Sequence, residues 1–414
     1  MNESVGVIGG GISGITSALE LANSGVRVYL IEREAAIGGQ AASFCCKATE
    51  VCTKCSACLV PRKLKEVTAH PRISILTNST VSNLSGELSN FRVEVWQKPR
   101  YTSLKRCIAC GICAEVCPTE PKAIHSPSPD AIPYCYVIDE TQCLHFRGQE
   151  CNLCQGICPT NAIDFNLKPK KQELSVGAII VATGFEVFNA REIGSLGYGR
   201  YPNVLTGLDL ERIFKEQGFL NLPLNGKEAK KIAFIQCVGS REERHGYCSQ
   251  VCCKYAMRFA RLIKYQNPAA EVTIFYIDLQ TAGKGFTRFY EECRESIRFI
   301  PGVPAEILET TSGELEVRFE NIPEGKVERE TFDLVTLSVG IAPRRDSWDL
   351  ARILGINLGD YGFFDAKEPL NSIETNVKGV FLAGTCQGPK DIPDSIAHGV
   401  AAAERAMEVL EKCK

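Results

Sequence analysis

The sequence predicts an α/β protein interrupted by a small, cysteine-rich α+β module. Three observations predict it. The chain opens on a buried strand, a glycine-rich turn and a helix. Buried-strand segments return between residues 177 and 384. Fourteen of the 21 cysteines crowd between Cys45 and Cys158.

The 414 residues allow two or three domains, and 44% hydrophobic with 23% charged residues is ordinary for a globular protein. A net charge of −2 argues against a nucleic-acid or anionic-membrane partner recognised by bulk charge. No run of about 18 apolar residues predicts a membrane span. The N-terminal residues enter a strand pattern at once, so no signal peptide is expected. In a long, leaderless chain, 21 cysteines against five histidines read as reduced thiolate ligands for iron–sulfur or zinc, not as a disulfide scaffold. A cytoplasmic, anaerobic setting is the expectation from oxygen-sensitive clusters.

Ser4 to Ile8 reads as a buried strand, Ile15 to Ala22 as a helix and Arg27 to Glu32 as a second strand. Between them Gly9, Gly11 and Gly14 form G-x-G-x-x-G. The first glycine permits the tight turn, the second lets a pyrophosphate approach the backbone, and the third lets helix and strand pack closely. Glu32 is placed to accept from ribose hydroxyls. The continuation through Arg33, Gly39 and Gln40 resembles the second FAD signature of flavoproteins with two dinucleotide-binding domains. Ala182-Thr183-Gly184 resembles their A-T-G element, and Thr375 to Gly384 resembles their last FAD signature, with Thr385 where aspartate is usual. A helix starting near Ile392, Pro393 and Ser395 would aim its N-terminus at the flavin ring. FAD is the expected dinucleotide.

Lys98-Pro99 and Lys168-Pro169 bracket the insert, with Ser126-Pro127-Ser128-Pro129 as a connecting loop inside it. Cys107, Cys110, Cys113 and Cys117 with Pro118 match C-x₂-C-x₂-C-x₃-C-P, a [4Fe–4S] run whose fourth cysteine serves the other cluster. The partner run is Cys143, Cys151, Cys154 and Cys158, its first spacing expanded. One cluster would therefore take Cys107, Cys110, Cys113 and Cys158, the other Cys143, Cys151, Cys154 and Cys117. Cys135 is an alternative to Cys143, and a tetrahedral zinc site is the alternative to iron–sulfur.

Further on, Cys237 ends a strand, and Cys248, Cys252 and Cys253 are expected on one helix, with Cys248 and Cys252 on a shared face. Four thiolates could converge there on one cluster. Ile235 to Ser240 offers no second G-x-G-x-x-G, so a cluster would stand in place of a nicotinamide. Cys52, Cys55 and Cys58 form C-x₂-C-x₂-C, with Cys45 and Cys46 upstream. Their spacing leaves a fourth cluster, a redox-active set and a structural set all open. Cys386 falls beside the last FAD element; Cys293 and Cys413 have no partners by spacing.

With these motifs assembled, the chain resembles the HdrA-like family, the A subunits of heterodisulfide reductases, over nearly its whole length. The most specific stretches are Cys237 to Arg241, Tyr247 to Cys253, and Gln387 to Ser395, which includes Asp391, Ile392 and Pro393. The resemblance implies a thioredoxin-reductase-like flavoprotein with an inserted ferredoxin-like 2[4Fe–4S] domain. The expected parts are an FAD-binding domain over 1–100, 169–225 and 342–414, the insert over 101–168, and a degenerate nicotinamide-type domain with its own [4Fe–4S] site over 226–341. It implies that Lys284 approaches the flavin N5 edge. Gln280-Thr281-Ala282 departs from the family's arginine and aromatic there, which weighs against flavin-based electron bifurcation. The implied role is an electron-transfer subunit of an anaerobic complex, homodimeric within it. Its partners would be heterodisulfide reductase B/C-like subunits, ferredoxin or hydrogenase-delta-like proteins. The trimmed length resembles the subunit of this type in class II benzoyl-coenzyme A reductase complexes. The alternative is a stand-alone NAD(P)H-dependent enzyme resembling the glutamate synthase small subunit.

Overall fold

The computed structural model describes residues 3–126, 132–280 and 283–413. Pro127 to Pro129 of the expected connecting loop, and Thr281 and Ala282 before Lys284, lie outside them. Two five-stranded parallel sheets form the body. The first runs Val380–Leu382, Ala178–Val181, Ser4–Ile8, Arg27–Ile31, Ile73–Leu76. Its central strand Ser4–Ile8 is buried at all five residues, as a parallel strand covered on both faces must be. The helices Ile12–Asn23 and Ile392–Glu411 pack together against it through Ile15 and through Ala18, Ala402 and Ala406, whose small side chains permit close approach.

The second sheet runs Val204–Thr206, Leu334–Val339, Lys231–Val238, Glu271–Tyr276, Arg298–Pro301. This moves one expected boundary. Val204–Thr206 pairs with Leu334–Val339, so the second sheet recruits residues well before 226. Thr206 then caps the helix Gly207–Gln217 through a reciprocal capping box with Asp209. A three-residue strand carries too little pattern to be assigned from sequence.

The insert grows from a hairpin. Phe91–Gln97 and Lys170–Val176 are antiparallel neighbours, and Gln97 pairs with Lys170, so the chain leaves and re-enters at one point of a three-stranded sheet. Within the insert, short helices Ile112–Glu115 and Leu153–Ile157 and the two-stranded ladder Ile124–His125 with Val137–Ile138 enclose a small core. Among the described residues, no helix is long and apolar enough to cross a membrane.

Candidate dinucleotide cleft and cysteine sites

The carboxyl ends of Ser4–Ile8, Arg27–Ile31 and Ala178–Val181 open on a cleft of about 710 Å³, a size typical of cofactor sites. Gly9, Gly11, Glu32, Arg33, Gly39, Gln40, Thr183, Gly184, Asp391, Ile392 and Ser395 line it. The three fingerprint glycines have different physical reasons. A Cβ on Gly9 would lie 2.3 Å from the Ala182 carbonyl oxygen, and one on Gly14 would lie 1.9 Å from the Gly9 carbonyl oxygen. A Cβ on Gly11 would meet only Gly39 Cα, at 4.0 Å. Gly11 is therefore small for a ligand, whereas Gly9 and Gly14 are small for the fold.

Glu32 is buried, and both carboxylate oxygens accept backbone N–H groups, Oε2 from Gly10 at 2.6 Å and Oε1 from Glu34 at 2.8 Å. Burial still holds its pKa above the usual carboxylate range. Each oxygen retains a lone pair for a ribose hydroxyl. Thr183 Oγ1 is buried with no hydrogen-bond partner at the cleft wall, as a donor reserved for a ligand would be. These features fit a bound dinucleotide such as FAD.

Asp391 caps the Ile392–Glu411 helix by accepting from the Asp394 N–H at 3.0 Å, and Pro393 sits in its first turn. This N-terminus faces the cleft. The remaining cofactor candidates lie behind it. A Cβ on Gly384 would strike Ser13 Oγ at 1.9 Å, and the Gly384 N–H donates to His398 Nδ1 at 2.9 Å. Gln387 accepts from Lys390 Nζ at 2.5 Å. Cys386 is buried, its thiol turned to the Val181 carbonyl at 3.1 Å, and burial pushes its pKa up to about 11.

Lys284 is exposed and does not line the cleft. The lysines that do are Lys47, Lys254 and Lys390. Lys254 pairs with Asp391 at 3.2 Å, and burial lowers the Lys390 pKa. The element resembling the family's lysine segment thus does not deliver Lys284 to the cleft; Gly285 turns the chain into the Phe286–Arg294 helix, and it is Phe286 that is buried.

The cysteines gather in groups. Cys117, Cys143, Cys151 and Cys154 line one small cavity of the insert. Cys135 is elsewhere, against Thr102 Oγ1 at 3.3 Å and beside Cys107. Cys113 is pushed up to about 12 by burial, with Cys107, Cys154 and Cys110 adding to it. Cys158 packs in the same core as Cys113 and accepts from the Ala162 N–H at 3.3 Å.

Cys237, Cys248, Cys252 and Cys253 line another small cavity with Arg241, Asp278 and Gln280. One expectation fails in detail. The helix starts at Cys252, so Cys248 does not share a helical face with it. Cys248 lies in a turn, because Gln250 has φ 61° and the buried Ser249 hydroxyl accepts from the Ile341 N–H at 2.9 Å. The turn brings Cys248 to the same cavity by another route. Burial is the first cause raising the pKa values of Cys237, to about 11, and of Cys252 and Cys253. Gathered free thiols resist ionisation, and a metal cluster offsets that cost.

Comparison with known proteins follows the same division. A family model described as an NAD(P)-binding Rossmann-like domain matches residues 7–62, and one described as a 4Fe-4S binding domain matches residues 101–121. The A subunit of the H(2):CoB-CoM heterodisulfide,ferredoxin reductase of Methanothermobacter thermautotrophicus is 41% identical over 97% of this chain. The second iron-sulfur A subunit of the CoB–CoM heterodisulfide reductase of Methanopyrus kandleri is 42% identical over 98%. Over nearly its whole length the chain is similar to heterodisulfide reductase A subunits. It spans 63% and 64% of the length of those two relatives. Its fold is that of thioredoxin reductases: the Lactococcus lactis enzyme aligns with a TM-score of 0.55 at 16% identity over 99% of both chains, and the T. acidophilum enzyme with 0.54 at 13%, again over 99% of both.

Two features of this HdrA-like chain carry no local sequence signal. Lys47 and Glu211 form a buried ion pair on the cleft wall, Nζ to Oε1 2.5 Å. And a Cβ on Gly239 would lie 2.0 Å from the Phe188 ring, so the turn that replaces a second glycine fingerprint is covered by an aromatic side chain.

Proposed function

We propose that this chain is an FAD- and iron–sulfur-containing electron-transfer subunit of a larger oxidoreductase. The observation that carries it is the Cys252–Gln266 helix. Its first turn supplies Cys252 and Cys253 to the cysteine cavity, while Lys254, Tyr255 and Arg258 of the same helix line the dinucleotide cleft. Two redox sites would thus share one short, rigid element.

The cofactor residues are Gly9, Gly11, Glu32, Thr183 and the N-terminus of the Ile392–Glu411 helix. A bound flavin would supply exchange between two-electron and one-electron traffic. Around it, the chain's residues position and compensate charge. The helix N-terminus favours an anion, Lys254 is held by Asp391, and Lys47 is held by Glu211. The cluster residues are Cys107, Cys110, Cys113 and Cys158; Cys143, Cys151, Cys154 and Cys117; and Cys237, Cys248, Cys252 and Cys253. Flavin-based electron bifurcation would require both kinds of cysteine site to exchange electrons with one flavin. Lys284 is not placed to support it, and electron transfer is the reading adopted. Partners would be further redox subunits, in keeping with the names of the relatives; the class II benzoyl-coenzyme A reductase type of complex remains the proposed setting.

The test is iron, acid-labile sulfide and flavin per chain on anaerobically purified protein. At least about twelve iron with matching sulfide and one FAD is expected. About eight would remove the site at Cys237 to Cys253. Stoichiometric flavin bleaching by NADH in the isolated chain would favour a stand-alone NAD(P)H enzyme instead, against the Phe188 cover on Gly239.

A further inference from the structure

The loop Cys52–Cys58 repeats the backbone of the first insert loop, Cys107–Cys113. Both read C-x₂-C-x₂-C. In the insert loop the residue before the second cysteine, Ala109, has φ 56° and the residue after it, Gly111, has φ 85°. In the other loop Lys54 has φ 53° and Ser56 has φ 63°, at the same two positions. The closing turn also matches: the Ala114 N–H donates to the Gly111 carbonyl at 2.8 Å, and the Leu59 N–H donates to the Ser56 carbonyl at 3.1 Å. Left-handed φ is uncommon for lysine or serine, and two such residues around one cysteine mark a constrained, functional turn. This backbone turns successive N–H groups toward one side, as anion- and cluster-binding loops do. The Lys54 N–H points at Cys52 Sγ, 3.4 Å away.

The surroundings suit a negatively charged group. Arg258 is half-buried, its Nε donates to the Thr53 carbonyl at 3.2 Å, and it lines the same cleft wall as Cys55. Arg62 and Lys63 stand where the insert run has Cys117 and Pro118, so the loop supplies three corners only. Of the two upstream thiols, Cys46 is exposed, whereas Cys45 is buried between the cleft-lining Phe44 and Lys47, and its N–H is anchored by Glu211 Oε2 at 2.9 Å. Cys55 itself lines the dinucleotide cleft.

We infer that Cys52, Cys55 and Cys58, with Cys45 as fourth ligand, hold a further [4Fe–4S] cluster at the edge of the cleft. It adds to the three clusters of the proposed function and rests on that reading only for its role in electron flow. The loop would place a one-electron site at the cleft beside the helix whose first turn carries Cys252 and Cys253, to which the Arg258–Thr53 hydrogen bond ties it.

The test compares iron and labile sulfide in anaerobically purified wild type, Cys58→Ala and Cys252→Ala, with flavin content as the folding control. Cys58→Ala is expected to lose about four iron, Cys252→Ala a separate four, and the double variant about eight. Undiminished iron in Cys58→Ala overturns the loop cluster whatever Cys252→Ala shows. Undiminished iron in Cys252→Ala instead overturns the proposed site at Cys237 to Cys253. Cys52 is exposed, so Cys52→Ala gives the same reading should Cys58→Ala fail to fold. Cys45→Ala is expected to match Cys58→Ala and Cys46→Ala to match wild type; the reverse pattern overturns Cys45 as the ligand.

Discussion

Glu211, on the Gly207–Gln217 helix, ties the start of the cysteine loop to that helix: one carboxylate oxygen takes the Lys47 ammonium at 2.5 Å and the other takes the Cys45 N–H at 2.9 Å. Both side chains are almost wholly buried, at 4% and 7% exposure. Lys47 also lies 4.7 Å from the Phe259 ring centroid and donates to the Cys45 carbonyl at 3.2 Å.

Removing one partner leaves the other charge buried and uncompensated. Glu211→Leu is therefore expected to cost about 3–5 kcal/mol of unfolding free energy. The double variant Lys47→Met/Glu211→Leu is expected to recover most of that, because neither charge then remains. Chemical denaturation of the three variants beside wild type measures this; additive losses in the double variant would show the pair is not coupled.

The glycines of the fingerprint separate binding from folding. Gly14→Ala drives a Cβ to 1.9 Å from the Gly9 carbonyl oxygen, a backbone atom that cannot swing aside. Unfolding at lower denaturant, together with flavin loss, is expected. Gly11→Ala meets nothing closer than 4.0 Å. It is expected to leave the melting of the flavin-free protein unchanged and to weaken flavin binding by tenfold or more, read by flavin fluorescence titration. Equal flavin affinity in wild type and Gly11→Ala would mean the pyrophosphate does not approach there.

These contrasts show what the sequence could carry. The first βαβ unit was legible because its signals are local: five buried residues, three spaced glycines and a helix. The ferredoxin-type run was legible for the same reason. Cys248 was misplaced onto a helix because its turn is decided by a long-range bond, from the Ile341 N–H to Ser249 Oγ, and by the left-handed Gln250. Phe188 over Gly239 and Lys47 beside Glu211 are contacts between distant segments, which periodicity does not report. Lys284 stands exposed outside the cleft lining for a related reason, since a short matching segment says nothing of where its side chain ends.

His398 gives the folded chain a pH dependence. Its Nδ1 accepts the Gly384 N–H at 2.9 Å, and Nε2 faces the Ser372 carbonyl at 3.1 Å, so the ring is held neutral. Burial first, then the Lys390 charge, lowers its pKa from the ordinary 6.5 to about 4. The unfolded chain takes up this proton at higher pH than the folded one. The stability linked to His398 is thus complete above about pH 6.5 and is lost as pH falls through about 4, by roughly 3 kcal/mol in all. Wild type minus His398→Asn, followed by denaturant unfolding between pH 7 and 4, is expected to show that decline. A constant difference across this range would mean the ring is not held neutral.

The insert discriminates between two cysteines close in sequence. Cys143 lines the cavity shared by Cys117, Cys151 and Cys154, whereas Cys135 lies beside Cys107 with its thiol against Thr102 Oγ1. Thiolate ligation needs the sulfur at the cavity, and the expanded spacing between Cys143 and Cys151 is spanned by a turn in which the Arg147 N–H donates to the Cys143 carbonyl at 3.1 Å. Cys143→Ala is expected to remove about four iron per chain, and Cys135→Ala none. Cys135 is buried, so Cys135→Ala should instead lower stability by about 1 kcal/mol through lost packing. Iron loss in Cys135→Ala with full iron in Cys143→Ala would exchange the two assignments, and the Cys107 group would then share its edge with the second cluster.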